Sequence, residues 1–319
     1  MIERVSDLPR PPFVVHQRFL ETPFERRFQG ILRKAWKERT WHVVAAVPGS
    51  GKSLGIADLL HQSGAYKDTR GSTRLPILAI RAPKNAAREQ ALGMALSAAF
   101  GVVPSMPWAQ RRIWLVQIMA STGVECIIID DAQDLDRLIH LALLKELTDN
   151  LAAPPYERPV GLCLVTAHSG NVIPFKETLA RPDVLWRQFR ERMALIDPYC
   201  IVDGHTEEEV RHIFITFEDL YRSQLPDLQL QRWTKSIFNW LTSTILDPDG
   251  TKRVTMGHLS KFVVTALRRA YEQGATDVDA ATLQAVAELM ILRRDDITHM
   301  NELPKTLEGD DATDDRNLA

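Results

Sequence analysis

Lys52 and Ser53, set behind two glycines, are the first residues in this chain whose types and spacing could do chemistry. The run Pro48-Gly49-Ser50-Gly51-Lys52-Ser53 follows the apolar stretch 41–47 and opens a helix-forming stretch. Gly49 and Gly51 let the backbone bend until successive N–H groups face one anion, and the helix N-terminus adds its positive end. In such a cradle Lys52 reaches the β- and γ-phosphates of ATP, and the Ser53 hydroxyl ligates Mg²⁺. The pattern reads A-x-x-G-x-G-K-S, with Ala46 where a glycine usually stands. Alanine is tolerable there because the sharp bend falls later, from Gly49 to Gly51.

Asp130 and Asp131 form the second group. They close the uninterrupted apolar run 124–129, as expected of a strand buried on both faces. Open α/β sheets place their ligands at the carboxyl ends of such strands. Asp130 is the candidate Mg²⁺ carboxylate, and Asp131 the residue that polarises an attacking water. Two acids that merely end a strand and cap the next helix are the plain alternative; the phosphate loop upstream weighs against it. Asp131 is one methylene shorter than the glutamate common at this position, and small positional errors cost large factors in rate. Slow hydrolysis is the expectation.

The elements that must hold these groups alternate in type. Residues 1–22 are an extended, proline-punctuated lead-in. Phe24, Phe28, Ile31, Leu32, Ala35 and Trp36 recur at helical spacing and mark an amphipathic docking helix. Strands are expected at 41–47, 75–80, 124–129, 160–166 and 199–202, with helices after the loop and at 85–100, 107–121 and 135–151. This alternation predicts a parallel α/β sheet flanked by helices. From His205 the pattern changes. Thr206-Glu-Glu-Glu209 reads as a cap and acidic first turn, and further helices are expected at 230–246, 254–271 and 279–292. The expected domains are an N-terminal extension and docking helix (1–40), an α/β nucleotide-binding domain (41–204), a small all-helical lid (205–295) and an acidic disordered tail (296–319).

At 319 residues and 45% hydrophobic, the chain is long and apolar enough for a full core in two domains. No apolar stretch approaches the roughly 20 residues that span a bilayer, and the N-terminus lacks a signal-peptide core. Cys126, Cys163 and Cys200 are far apart, with neither metal nor disulfide spacing, so a reducing cytoplasm is expected. The formal charge of −2 is unevenly spread. Residues 302–319 carry six acids against Lys305 and Arg316, a net of −4 that leaves +2 for the rest. A body this weakly basic excludes a typical independent DNA-binding domain, so any DNA contact must be a local basic surface. Three candidates stand out: Lys84 and Arg88 after the second strand, the stretch 67–74, and Arg111–Arg112. Each of them also reads as an ordinary solvated face.

With these motifs in view, the chain resembles the TniB/TnsC family of transposon-encoded AAA+ regulators. The carrying residues are the loop 46–53, the strand 126–133, the strand 161–167, the segment Trp186-Arg-Gln-Phe-Arg-Glu-Arg192 and the helix 256–268. The likeness runs from residue 12 to residue 292 in order and spacing. It implies a P-loop AAA+ core with a helical lid. It also implies a DNA-associated ATPase that gathers as a ring or helical filament on double-stranded DNA and links a target-selection protein to a transposase. Arg187 and Arg190 are then the candidate arginine fingers that reach a neighbour's γ-phosphate. The family often shows Arg-Phe-Arg where this chain has Gln188 before Phe189, so either arginine can be the finger. Thr166, at the end of the fourth strand, is the candidate polar sensor, with His168 and Ser169 as rivals. Lys84 and Arg88 would line the DNA channel. The lid contact near 257–261 has no arginine in the expected place.

Two other classes fit parts of the pattern. Superfamily-1 helicases share the loop and an acidic motif ending in Ala-Gln, but need a second RecA-like domain. An AAA+ signalling adaptor would bind proteins and need no DNA.

Overall fold

The computed structural model describes residues 21–63, 65–84, 88–102, 105–135, 138–168 and 172–301. The acidic tail 302–319, most of the lead-in and Ser169 lie outside the described residues.

Helix α1 (Pro23–Glu38) starts where the sequence specifies it. The Thr22 side chain accepts from the Glu25 N–H, the Glu25 carboxylate accepts from the Thr22 N–H, and Pro23 takes a position needing no donor. Phe24, Phe28, Leu32 and Ala35 recur on one face and are fully buried. Then follow β1 (Trp41–Ala46), α2 (Lys52–Ser63), a hairpin of β2 (Tyr66–Lys67) and β3 (Thr73–Arg74), and β4 (Ile77–Arg81). Next come α3 (Glu89–Ala98), α4 (Trp108–Thr122), β5 (Cys126–Asp130), α5 (Leu138–Ala152) and β6 (Gly161–Ala167). The core closes with α6 (Lys176–Leu179), α7 (Val184–Arg192) and β7 (Tyr199–Val202).

Five strands form one parallel sheet in the order β4-β5-β6-β1-β7. Side chains alternate between its faces, as strand geometry requires. Val44, Ile128, Cys163 and Val165 pack with Phe28, Leu32 and Leu59 of α1 and α2. Val43, Ile127, Ile129 and Leu164 pack on the other face with Leu92, Leu115 and Leu144 of α3, α4 and α5. Both faces are covered, which is why these strands read as unbroken apolar runs.

After Val202 the described residues are helical: α8 (Glu207–Tyr221), α9 (Thr234–Leu241), α10 (Met256–Glu272) and α11 (Ala280–Asn301). They enclose a core of their own around Phe214, Phe217, Phe262, Leu267 and Leu283. No second sheet of RecA type occurs among the described residues, so the helicase requirement is not met there.

Several expectations shift. The helix expected over 230–246 is only α9, preceded by a 3₁₀ turn at Gln231–Trp233. Beyond it the Asp247 carboxylate accepts from the Thr251 and Lys252 N–H groups and the Thr251 hydroxyl, organising a loop instead of more helix. The strand expected at 75–80 begins at Ile77, because Pro76 supplies no N–H. The helix expected over 85–100 is described as α3, with 85–87 outside the described residues. The hairpin of β2 and β3 is new. Its strands are too short for a period, and Asp68 holds its turn by accepting from the Arg70 and Ser72 N–H groups and from Arg74 Nε.

Candidate functional site

The site forms at the carboxyl ends of β1, β5 and β6. Gly49 and Gly51 take φ values of +76° and +105°, a region that residues with a Cβ enter only with strain, and so the loop turns as its glycines require. Lys52 opens α2, is 8% exposed, and donates to the carbonyls of Ala46 (3.1 Å) and Val47 (3.3 Å). Burial pulls its pKa down, opposed by the carboxylates of Asp130 and Asp131. The Ser53 hydroxyl donates to Asp130 Oδ2 at 2.5 Å, so the two residues expected to share a metal already touch across 77 positions of sequence.

β6 lies between β1 and β5, which the sequence did not reveal. Thr166, in register with Ala45, therefore stands between the phosphate loop and Asp130. It is fully buried, and its hydroxyl finds no hydrogen-bond partner among the described residues; the buried Ser50 hydroxyl in the loop is likewise unpaired. Orphaned hydroxyls at the mouth of a glycine loop fit a polar, phosphate-bearing ligand. His168, its rival, is also buried and lies 4.0 Å from Asp203.

Asp131 adopts φ +52° and is held from two sides. Arg81, at the end of β4, donates from Nε (2.6 Å) and approaches with Nη2 (2.5 Å), both to Oδ2. Gln133 Nε2 donates to Oδ1 at 3.3 Å while its Oε1 accepts from the Ala167 N–H at 3.0 Å. Burial works to raise the Asp131 pKa, but these donors outweigh it and keep the carboxyl below its ordinary value. Sequence reasoning missed Arg81 and Gln133. The Ala-Gln following Asp130–Asp131 was visible, but Arg81, the other partner of Asp131, is a neighbour only through sheet order.

The lid also reaches the loop. Thr255 caps α10, and the Gly257 N–H, one of the free donors of that helix N-terminus, donates to the Gly49 carbonyl at 2.8 Å. A Cβ at Gly257 would lie 2.9 Å from the same oxygen, so only glycine permits this approach. The paired backbone bonds of His205 and Val254 (2.7 and 3.0 Å) fix where α10 begins. Between loop and lid opens a cavity of about 930 Å³. Val47, Pro48 and His168 line the core side; Leu246, Val286, Leu289 and Met290 give the lid side an apolar wall beside Arg253, Lys261 and Arg268. Lys261 and Arg268, seven residues apart on α10, are exposed and border this cavity from the same face of the helix.

The arginines of α7 separate. Arg190 donates to the carbonyls of Leu179 and Arg181 and so holds the connection from α6. Arg192 pairs with Asp149 and lies over the Trp41 ring. Arg187 is 70% exposed, and among the described residues its ion pair is with Glu191 of its own helix at 3.7 Å. Among the DNA candidates, Lys84 and Arg88 are exposed beyond the carboxyl end of β4. Arg112 is instead paired with Glu146 (2.6 Å) and Glu89 (3.8 Å). The basic stretch 67–74 sits at the opposite end of the sheet, leading into β4.

No protein-family model and no curated protein sequence matches the chain. Solved structures do resemble it. The ADPNP–ADP complexes of the ORC2 protein of Aeropyrum pernix match with a TM-score of 0.55 at 12% identity, over 83% of this chain and 66% of theirs. Drosophila ORC bound to DNA matches at 0.54 and 13%, over 91% and 70%. The ORC1 protein of Aeropyrum pernix in complex with DNA matches at 0.53 and 15%, over 92% and 70%. The chain thus spans about two thirds of the length of these structures, and at such identities the likeness is one of fold. The shared fold is a phosphate-loop α/β core, a five-stranded parallel sheet flanked by helices, followed by a helical domain.

Proposed function

We propose that this chain is an ATP- and Mg²⁺-dependent switch that assembles on duplex DNA and hydrolyses ATP slowly. One observation carries the reading: the phosphate loop is joined to Asp130 through Ser53 and to the lid through Gly49 and Gly257. A triphosphate on this loop is sensed by both domains at once.

In this reading Lys52 and the N–H groups of residues 49–53 bind the phosphates, and Ser53 with Asp130 would hold Mg²⁺, which would supply charge neutralisation when bound. The 930 Å³ cavity takes the base and ribose against Leu289 and Met290, with Lys261 and Arg268 facing the phosphates. Asp131 polarises the attacking water and Thr166 orients it. Arg187, exposed and unburdened by carbonyl contacts, serves the neighbouring subunit's site; Arg190 serves its own chain. The exposed Lys84 and Arg88, and the DNA in the two ORC structures of the same fold, support a phosphate-backbone contact. The finer role is regulation of DNA transposition in a bacterial cytoplasm, connecting a target-selection protein to a transposase. It rests on the family likeness of the loop, the arginine segment and the lid helix.

The test is assembly. Sedimentation of the purified chain with duplex DNA should show large species with ATP and Mg²⁺, and small ones with ADP. Lys84→Ala/Arg88→Ala should lose the DNA-dependent species while keeping ATP affinity. Nucleotide binding with no change in self-association or DNA occupancy would overturn the proposal.

A further inference from the structure

At the end of the sheet opposite Lys52 and Asp130, a groove of about 520 Å³ opens beneath β4 and β5. It is lined by Trp36, Tyr66, Arg74, Pro76, Glu125 and Arg158. Its floor is the carboxyl end of α4, where Gly123 forms a left-handed cap. Arg74 Nη1 donates to the Ser121 carbonyl (3.0 Å) and Arg158 Nη1 to the Ala120 carbonyl (3.3 Å). Both guanidinium nitrogens lie 3.6 Å from the point where a Cβ on Gly123 would stand. Two like charges thus converge on one spot, drawn there by the negative end of a helix. The nearby acids are already engaged. Asp68 accepts from Arg74, and Glu125 accepts from Trp36 Nε1 (2.7 Å) and pairs with Arg39 (2.9 Å). On the adjoining hairpin Lys67 and Arg70 are exposed and have no ion pair among the described residues. The groove itself thus presents Arg74 and Arg158 beside a Glu125 already paired with Arg39, with Lys67 and Arg70 on the adjoining hairpin.

The opposite charge lies elsewhere in the same chain. Residues 302–319 contain six acids and two bases, grouped around Asp310-Asp311 and Asp314-Asp315. They follow α11, which belongs to the lid, whereas the groove opens at the far end of the core. Fully extended, these 18 residues reach about 60 Å, enough to leave the lid of one copy and meet the core of another.

We propose that the acidic segment 302–319 of one copy docks in the Arg74–Arg158 groove of the next, a head-to-tail contact between copies. One carboxylate bridges the two guanidiniums and its neighbours pair with Lys67 and Arg70 on the hairpin. Contacts of this heterologous kind generate rings or open filaments. The contact needs no nucleotide, so it stands apart from the phosphate site.

The experiment is zero-length carbodiimide cross-linking of the full chain, mixed half unlabelled and half ¹⁵N-labelled, followed by mass spectrometry. Lys67 joined to a peptide from 302–319 is expected, with unlike isotopes in the two halves. The cross-link should fade as salt rises through the range where exposed charges are screened. Asp310→Asn/Asp311→Asn/Asp314→Asn/Asp315→Asn should abolish it. Because Arg74 and Arg158 also support α4, a second variant, Arg70→Glu with Lys67 kept as the reactive amine, lowers it without touching the helix end. The labelled peptide 302–319, added to the tail-neutralised chain, should bind at least tenfold more weakly to an Arg70→Glu form of it. Cross-links only between like isotopes would place the segment within its own copy, and an absence of Lys67 cross-links would remove the contact; either overturns the proposal.

Discussion

At the scale of single residues, the proposed hydrolysis makes Asp131 the group that would set the rate. Its Oδ2 faces Arg81 and its Oδ1 faces Gln133, so both oxygens are engaged and the carboxyl binds protons less readily than usual. A general base held in this way is weak. Arg81→Ala should therefore raise single-turnover ATP hydrolysis, by less than about tenfold for each pKa unit regained, because a general base passes only part of its basicity to the rate. Asp131→Glu, longer by one methylene, should also raise it by bringing the carboxylate nearer the attacked phosphate. Rapid-quench assays with saturating ATP measure both, and rates at or below wild type would show that Arg81 positions the base and does not restrain it.

At the scale of elements, two junctions matter. The first is α10 against the phosphate loop, where Gly257 lets the lid N-terminus reach the Gly49 carbonyl. Gly257→Ala overpacks this contact, a change that typically costs about 1–3 kcal/mol. Expressed as affinity, ATP should bind about 5- to 150-fold more weakly, read by titration of a fluorescent analogue. Unchanged affinity would mean that the lid is not part of the nucleotide site. The second junction is α1, whose Arg27 pairs with Glu209 of α8 and whose Phe24 ring meets the edge of His205. Here burial pushes the Glu25 pKa up to about 7, against the bonds it accepts from Thr22. A carboxyl raised in the folded state is stabilising while protonated, below its unfolded value near 4.5. That contribution is lost as pH rises towards 7. Glu25→Gln should consequently gain thermal stability over wild type between pH 5 and pH 8. A difference in Tm that stays constant across that range would contradict the assignment.

At the scale of the whole molecule, the proposed assembly gives the separation of Arg187 from Arg190 its meaning. Arg187 is solvent-facing, so in that proposal it would complete a neighbour's site. Arg187→Ala should lower hydrolysis by a factor on the order of 10³ without weakening ATP binding. Mixing it with Lys52→Ala should restore activity, because the first variant keeps its phosphate loop and the second keeps its arginine. Steady-state assays of the two variants alone and together measure this; a mixture no more active than its parts would assign the finger elsewhere. The three basic stretches cannot all serve one duplex contact. Lys84 and Arg88 lie at the nucleotide end of the sheet, the hairpin of Lys67 and Arg70 at the other, and Arg112 is already paired.

Local order was legible in the sequence because local physics sets it. Thr206 began its helix as its capping box requires, and the apolar runs at 41–47 and 124–129 supplied strands Trp41–Ala46 and Cys126–Asp130, covered on both faces. The loop from Gly49 to Ser53 turned as its two glycines dictate. The placement of β6 between β1 and β5, the grip of Arg81 on Asp131 and the place of Lys261 and Arg268 at the rim of the cavity were not legible. Each joins residues far apart in the chain. Periodicity and turn chemistry act over a few residues, whereas strand order and the docking of one domain on another follow from how completed faces bury each other. The sequence by itself determined which residues could hold a phosphate and its metal; only the tertiary structure decided which arginine touches Asp131, which bonds to carbonyls of its own chain and which stays exposed.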